Sequence, residues 1–126
     1  MTPINSFRDL TVWQVSMDLA DVCFDIVDAI PHPYRFTFAN QLIPSGISIP
    51  SNIAEGSRRP TKAYLNHISY SLGSHGEVDT LLELIHRRKL VPDTRLNKGT
   101  VLLDPIGKML HRLAESLELR LDANSD

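Results

Sequence analysis

A helical period that runs unbroken across two prolines restricts the fold of this chain more than any other feature. Gln41, Ser45, Ser48, Asn52 and Glu55 recur at spacings of four, three, four and three, and Leu42, Gly46, Ile49 and Ile53 repeat the pattern one residue later. A loop has no reason to keep that period, so Pro44 and Pro50 are expected inside one helix. Each proline removes a backbone donor and crowds the carbonyl four residues back, at about 3 kcal/mol unless the helix bends. The stretch therefore predicts a bent helix over about 34–56, with Gly56 placed as its C-cap. Two shorter helices broken near Pro44 are the alternative.

The flanking segments are helical too. Val12, Ser16, Leu19, Cys23, Ile26 and Ile30 mark one stripe of a helix over about 11–30, and Trp13, Met17, Ala20, Phe24 and Val27 mark a second beside it. The apolar arc is wider than one partner helix needs. It suits either two neighbours within one bundle or a second subunit that meets Trp13, Met17 and Phe24. Asp18, Asp21, Asp25 and Asp28 lie opposite and read as a solvated face, not a cation site. The residues "IPHPY" end this helix.

A third helix is expected over about 61–89, with Thr61 as its N-cap. Its stripe of small residues, Ser69, Gly73, Gly76 and Thr80, predicts close approach of another backbone near Gly46, because helical glycine otherwise costs about 1 kcal/mol. A fourth helix over about 94–121 carries Leu103, Ile106, Leu110, Leu113 and Leu117 on one face. Pro105 either kinks it or starts it, with Asp104 as cap. Four amphipathic helices with short links predict an all-α, up-down-up-down four-helix bundle in a single domain spanning 1–126, with the second helix bent at its prolines.

No apolar run approaches the roughly 20 residues that cross a bilayer, and the N-terminus has no signal-peptide pattern. With Cys23 as the lone cysteine, no internal disulfide can form, which points to a reducing cytoplasm.

The segments "FRDLTVW", "SIPSNIAEG", "LGSHGEVDTLL" and "IGKMLHRLAESL" fall in order along the chain. Together they resemble the bacterial four-helix bundle proteins first noticed as reading frames inside intervening sequences of large-subunit ribosomal RNA. The accessory variability determinant of diversity-generating retroelements is similar to that family. The resemblance implies an up-down bundle, a barrel-like homopentamer and no known catalytic activity. For the retroelement protein it further implies binding to nucleic acid and to a reverse transcriptase. Ile43 and Pro44 stand where many relatives carry basic residues, and the isoelectric point of about 6.2 contrasts with the strongly basic retroelement protein. Pro50, Asn52, Glu55, Gly56, Gly73 and Glu77 belong to the matching segments. Asn52, Glu55 and Glu77 are expected to be largely buried and to hydrogen-bond helix ends or neighbouring helices, since a buried carboxylate or amide is costly without partners.

Charge is uneven along the chain. Residues 9–30 hold five aspartates and no Lys or Arg, whereas residues 57–98 hold eight basic residues against four acidic ones. Arg58, Arg59 and Lys62 cluster at one helix junction, and Arg87, Arg88 and Lys89 at the far end of the third helix. Cations at a helix C-terminus suit the macrodipole. Repeated around a ring, the same clusters would attract phosphate backbones without reading bases.

Catalytic and metal patterns are weak. Glu83-x-x-His86 is a single copy where a di-iron bundle needs two. His75, Asp79 and His86 share a face that could hold a metal, although solvated histidines are commoner. Cys23 sits on an apolar stripe and reads as core. Two function classes remain. One is a non-catalytic oligomeric interaction module contacting nucleic acid or a protein partner. The other is a metal-binding protein or enzyme built on the third-helix histidines. The first is the leading expectation, with no catalytic residue, cofactor, metal, membrane or small-molecule substrate.

Overall fold

The structure, a computed structural model, describes residues 6–124. A 3-10 turn at Phe7–Asp9 precedes α1 (Thr11–Ala29), α2 (His32–Ser57), α3 (Thr61–Arg87) and α4 (Asp93–Ala123), and the described residues contain no strand. Sequence neighbours pack together and α4 also packs on α1, which closes a four-helix bundle around one core.

The first stripe of α1 is buried throughout, and Ala20 and Val27 of the second are buried with it. Val12, Ser16, Leu19, Cys23 and Ile26 all face the interior, followed by Ile30 just past the helix end. They meet Leu42, Ile49 and Ile53 of α2, Ile68, Val78, Leu82 and Ile85 of α3, and Leu103, Ile106, Leu110 and Leu117 of α4 in one cluster. Truncating such a buried Leu or Ile to alanine typically costs about 2–5 kcal/mol.

Helix α2 runs through both prolines without a break, so the alternative of two helices separated near Pro44 does not hold. Extra donors converge on carbonyls of this stretch. Ser45 Oγ donates to Gln41 O at 2.7 Å, Asn52 Nδ2 to Ser48 O at 3.0 Å, and Ser71 Oγ of α3 to Ile49 O at 2.9 Å. Packed α2 and α3 meet in opposite chain order: Ser48 touches Ser74, Ile49 touches Ser71, and Asn52 touches His67. The same reversal links α3 to α4, where His75 reaches Leu103 O and Leu82 packs near Gly99.

Several local expectations need correction. Gly56 is not a C-cap: α2 continues to Ser57, Arg58 caps it, and Gly56 has no left-handed backbone. Gly56 is buried against α3, where a Cβ would stand 2.7 Å from His67 Cβ and 2.8 Å from Tyr64 Cδ1. Its glycine serves helix approach rather than termination. Thr61 is the first residue of α3 and makes no side-chain cap bond; Pro60 holds the N-cap position. Pro105 lies inside α4 and does not start it, because the helix begins at Asp93 behind Pro92.

The stripe of Ser69, Gly73, Gly76 and Thr80 is exposed, and open space surrounds the Cβ positions of Gly73 and Gly76. Among the described residues no backbone approaches Gly73 or Gly76. Gly46 instead faces α1, its Cβ position 3.0 Å from Cys23 Sγ. Helix α3 ends before Lys89 rather than including it. Lys89 takes a φ of 54°, with Lys89 N–H donating to His86 O at 3.0 Å and Leu90 N–H to Ile85 O at 3.1 Å. That pair of bonds is a Schellman closure carried by a lysine where glycine is usual.

Candidate functional site

Three surface features bear on function: an apolar groove between α1 and α2, and a basic cluster at each end of α3. The groove forms because the second apolar stripe of α1 is only partly covered: Ala20 and Val27 are buried, but Trp13, Met17 and Phe24 are not. Met17 and Phe24 remain 42% and 45% exposed, and Trp13 is half-buried. From α2, Ile47, Pro50 and Ala54 complete a groove of about 410 Å3. Phe7 extends it, its ring 5.3 Å from that of Trp13. Trp13, Met17 and Phe24 were singled out from periodicity, and the structure brings them together. The α2 half of the groove was missed, since Ile47 and Ala54 fall outside the polar and buried stripes that identified that helix.

Arg58, Arg59 and Lys62 are all exposed around the α2–α3 junction, as are Arg87, Arg88 and Lys89 at the other end of α3. The 27 residues of α3 separate the clusters by about 40 Å of helical rise. Each cluster has one member committed to a carboxylate one turn away: Arg59 to Glu55 at 3.5 Å and Arg87 to Glu83 at 3.1 Å. Exposed pairs of this kind contribute about 0–1 kcal/mol, so a phosphate could displace them readily. Arg58 lies over the Phe7 ring, 5.7 Å from its centroid.

The family-matching polar residues divide. Asn52 is half-buried and bonded to Ser48 and His67. Glu55 and Glu77 are exposed, against the expectation that all three would be buried. Glu55 faces outward on α2 and holds Arg59, while Glu77 sits on the solvent side of α3 beside the open stripe. Their place in the matching segments therefore has no packing cause within one chain.

The third-helix histidines do not converge. His75 Nε2 lies 2.6 Å from Leu103 O, an acceptor only, so that nitrogen carries the proton and is occupied. Gly107 makes this contact possible, since a Cβ there would stand 3.2 Å from the imidazole. His86 faces Asp93 at 3.4 Å, and Asp79 is exposed. Among the described residues no group of three or more His, Cys, Asp or Glu side chains could hold a metal ion. The reading of His75, Asp79 and His86 as metal ligands is thus corrected: the three line one groove, but His75 is engaged by Leu103 O and His86 faces Asp93. Cys23 is fully buried, and burial pushes its thiol up to about 12, which removes it as a nucleophile.

A closed helical bundle with an uncovered apolar groove and exposed basic ends defines the class: an all-α four-helix bundle protein. The sequence model of the 23S rRNA-intervening sequence protein family matches residues 8–112, and the chain belongs to that family. A comparison with curated proteins gives no match. Among the described residues, no helix is long and apolar enough to cross a membrane.

Proposed function

We propose that the protein is a non-catalytic, cytoplasmic interaction module that assembles through the α1–α2 groove into a homo-oligomer, a pentamer by family resemblance, and presents its basic ends to a polyanionic partner. The observation that carries this reading is the groove itself. Met17 and Phe24 stay nearly half exposed beside Trp13 and Ile47, and clustered large apolar side chains on a folded chain mark contact surfaces. The up-down-up-down course and the bend of α2 belong to the same reading. They are supported by the reversed order of interhelix contacts and by the two prolines inside one helix.

In an assembled ring, Arg58, Arg59 and Lys62, or Arg87, Arg88 and Lys89, would repeat around the axis and concentrate positive potential. Nucleic acid is the partner such clusters suit, held through phosphates and without base reading. The aspartate face of α1 would direct the approach toward the basic ends.

Size-exclusion chromatography with light scattering, followed by a nucleic-acid shift assay on the same peak, tests both halves. The expected result is a mass near five chains and a sequence-tolerant shift that weakens steeply with salt. Reversing Arg58, Arg59 and Lys62 to glutamate should abolish the shift and leave the mass unchanged. A monomeric mass at micromolar concentration overturns the assembly. No shift at about 50 mM salt overturns nucleic acid as partner and leaves a protein docking on the ring as the better reading.

A further inference from the structure

The end of the bundle where α1 begins and α4 finishes holds a cavity of about 540 Å3, which shares Arg58 with a basic cluster and Phe7 with the apolar groove. Four separate parts of the chain supply its polar wall. Ser6 comes from just before the 3-10 turn, Arg58 from the cap of α2, Tyr64 from the first turn of α3, and Arg120 from the last turn of α4.

That wall consists of donors. Both guanidinium groups keep their protons at any relevant pH. Ser6 Oγ already accepts from Arg8 N–H at 2.9 Å, which leaves its own proton free to give. Burial raises the Tyr64 phenol above its ordinary value, with the charge of Arg120 opposing the rise, so the hydroxyl stays protonated near neutrality. Ser57 Oγ, also on the wall, spends its proton on Ala54 O at 2.7 Å.

The cavity also lacks what usually neutralises such a wall. Among the described residues no carboxylate lines it, and neither Arg58 nor Arg120 forms a salt bridge. The groove between α3 and α4 is the internal contrast. There Lys108 is answered by Asp104 at 2.9 Å, and Asp79 and Glu83 line the same space. Two guanidinium charges without an answering carboxylate favour an oxyanion, and a dianion balances both.

The remaining surface sets the other half of the ligand. Phe7, Leu10 and Leu113 supply the apolar part of the lining, with the Arg58 guanidinium 5.7 Å from the Phe7 ring centroid. A bare inorganic ion would leave that apolar surface unused. We infer that this end cavity binds a small phosphate monoester with an apolar substituent, the phosphate held by Arg58 and Arg120 and the substituent resting on Phe7, Leu10 and Leu113. Tyr64 and Ser6 donate to the remaining phosphate oxygens. Arg58 is shared with the basic cluster at the α2–α3 junction, whereas Arg120 and Tyr64 belong to neither cluster, so Arg120→Gln tests this site apart from the nucleic-acid reading. The site departs from the expectation that no small molecule is bound.

Calorimetric titration of the intact protein with phenyl phosphate, inorganic phosphate and phenol tests the assignment. Phenyl phosphate should bind saturably, one per chain, with inorganic phosphate about tenfold weaker and phenol without measurable heat. Loss of one charge-assisted contact corresponds to a roughly tenfold or larger weakening, so Arg58→Gln and Arg120→Gln should each weaken phenyl phosphate by at least that factor. Arg112→Gln, on α4 but outside the cavity, should leave binding unchanged. All three arginines are exposed, so each variant should unfold at the wild-type midpoint. The inference is overturned by absent saturation at about 10 mM phenyl phosphate, a Kd weaker than the millimolar range. It is equally overturned if Arg112→Gln weakens binding as much as Arg120→Gln, or if inorganic phosphate binds as tightly as the ester. Displacement of phenyl phosphate by an oligonucleotide with hydroxyl ends would also overturn it, because the site would then be a backbone contact.

Discussion

Asn52 Oδ1 stands 2.9 Å from His67 Nδ1 across the seam between α2 and α3. The Asn52 amide nitrogen donates to Ser48 O and Ser48 Oγ, both at 3.0 Å, so its oxygen is the acceptor and His67 Nδ1 carries the proton. Ser74 Oγ donates to the same Ser48 hydroxyl at 2.8 Å. One asparagine thus ties its own helix turn to two positions on α3.

Replacing Asn52 by leucine keeps the volume and removes its bonds to Ser48 and His67, leaving Ser74 on Ser48. The half-buried His67 N–H loses its partner, and Asn52→Leu should destabilise the bundle by about 1–3 kcal/mol. Urea unfolding measures the loss. In a double-mutant cycle with His67→Leu the two effects should fall short of additivity, because the second substitution removes a group the first had already stranded. Simple additivity would mean that the pair does not interact.

Gly56 gives the second prediction. A methyl group there meets His67 Cβ at 2.7 Å, and a Cβ cannot swing aside as a flexible side-chain tip can. Overpacking of this kind costs about 1–3 kcal/mol, whereas the helix-propensity gain of alanine returns only about 1 kcal/mol. Gly56→Ala should therefore lower the unfolding midpoint. Gly73→Ala should raise it, since open space surrounds Gly73 and the same propensity gain acts without a clash. A stabilised Gly56→Ala would show that the seam between α2 and α3 has slack.

These positions mark how far the sequence could be read. Apolar period alone located the buried face of α1 at Val12, Leu19, Cys23 and Ile26, and the polar period of α2 carried the helix across Pro44 and Pro50. Both are properties of one helix. Gly56 was misread because a glycine near a helix end looks like a cap until the neighbouring helix is placed against it. Glu55 and Glu77 were misread because which face of a helix is covered depends on the partner's position. The end cavity was invisible for the same reason. Arg120 by itself is a cation suited to a helix C-terminus, and its relation to Arg58 and Tyr64 exists only once four chain segments meet.

Lys89 supplies a prediction opposite in sign to Asn52. Its φ of 54° places a side chain where L-residues lose about 1–2 kcal/mol, and the two Schellman bonds hold it there. Glycine removes most of that penalty and adds back some chain entropy in the unfolded state. Lys89→Gly should stabilise by about 0.5–1 kcal/mol, a rise of several degrees in a two-state thermal melt for a chain of this size. Lys89→Ala discriminates the cause. It removes the same charge without easing the backbone, so it should give no comparable gain.

Cys23 gives a prediction with a pH sign. Burial raises its thiol from 9.0 to about 12, so at pH 8 the native protein should not react with a disulfide reagent such as dithionitrobenzoate, and unfolding should release one reactive thiol. In the unfolded chain the thiol loses its proton near pH 9, while the native state keeps it until about pH 12. The native state binds more protons between those values, so this group's stabilisation is complete below pH 9 and is lost as pH rises through the interval. Tyr64 is raised by burial as well and contributes in the same direction. Cys23→Ala separates the two: it should flatten the cysteine share of the alkaline decline and leave the tyrosine share. At neutral pH the variant should be less stable than wild type, because the sulfur fills space beside Gly46. Adding Gly46→Ala should restore part of the loss, since the new methyl points where Sγ stood, 3.0 Å away. If Gly46→Ala destabilises the Cys23→Ala protein further, the two positions do not share one packing site.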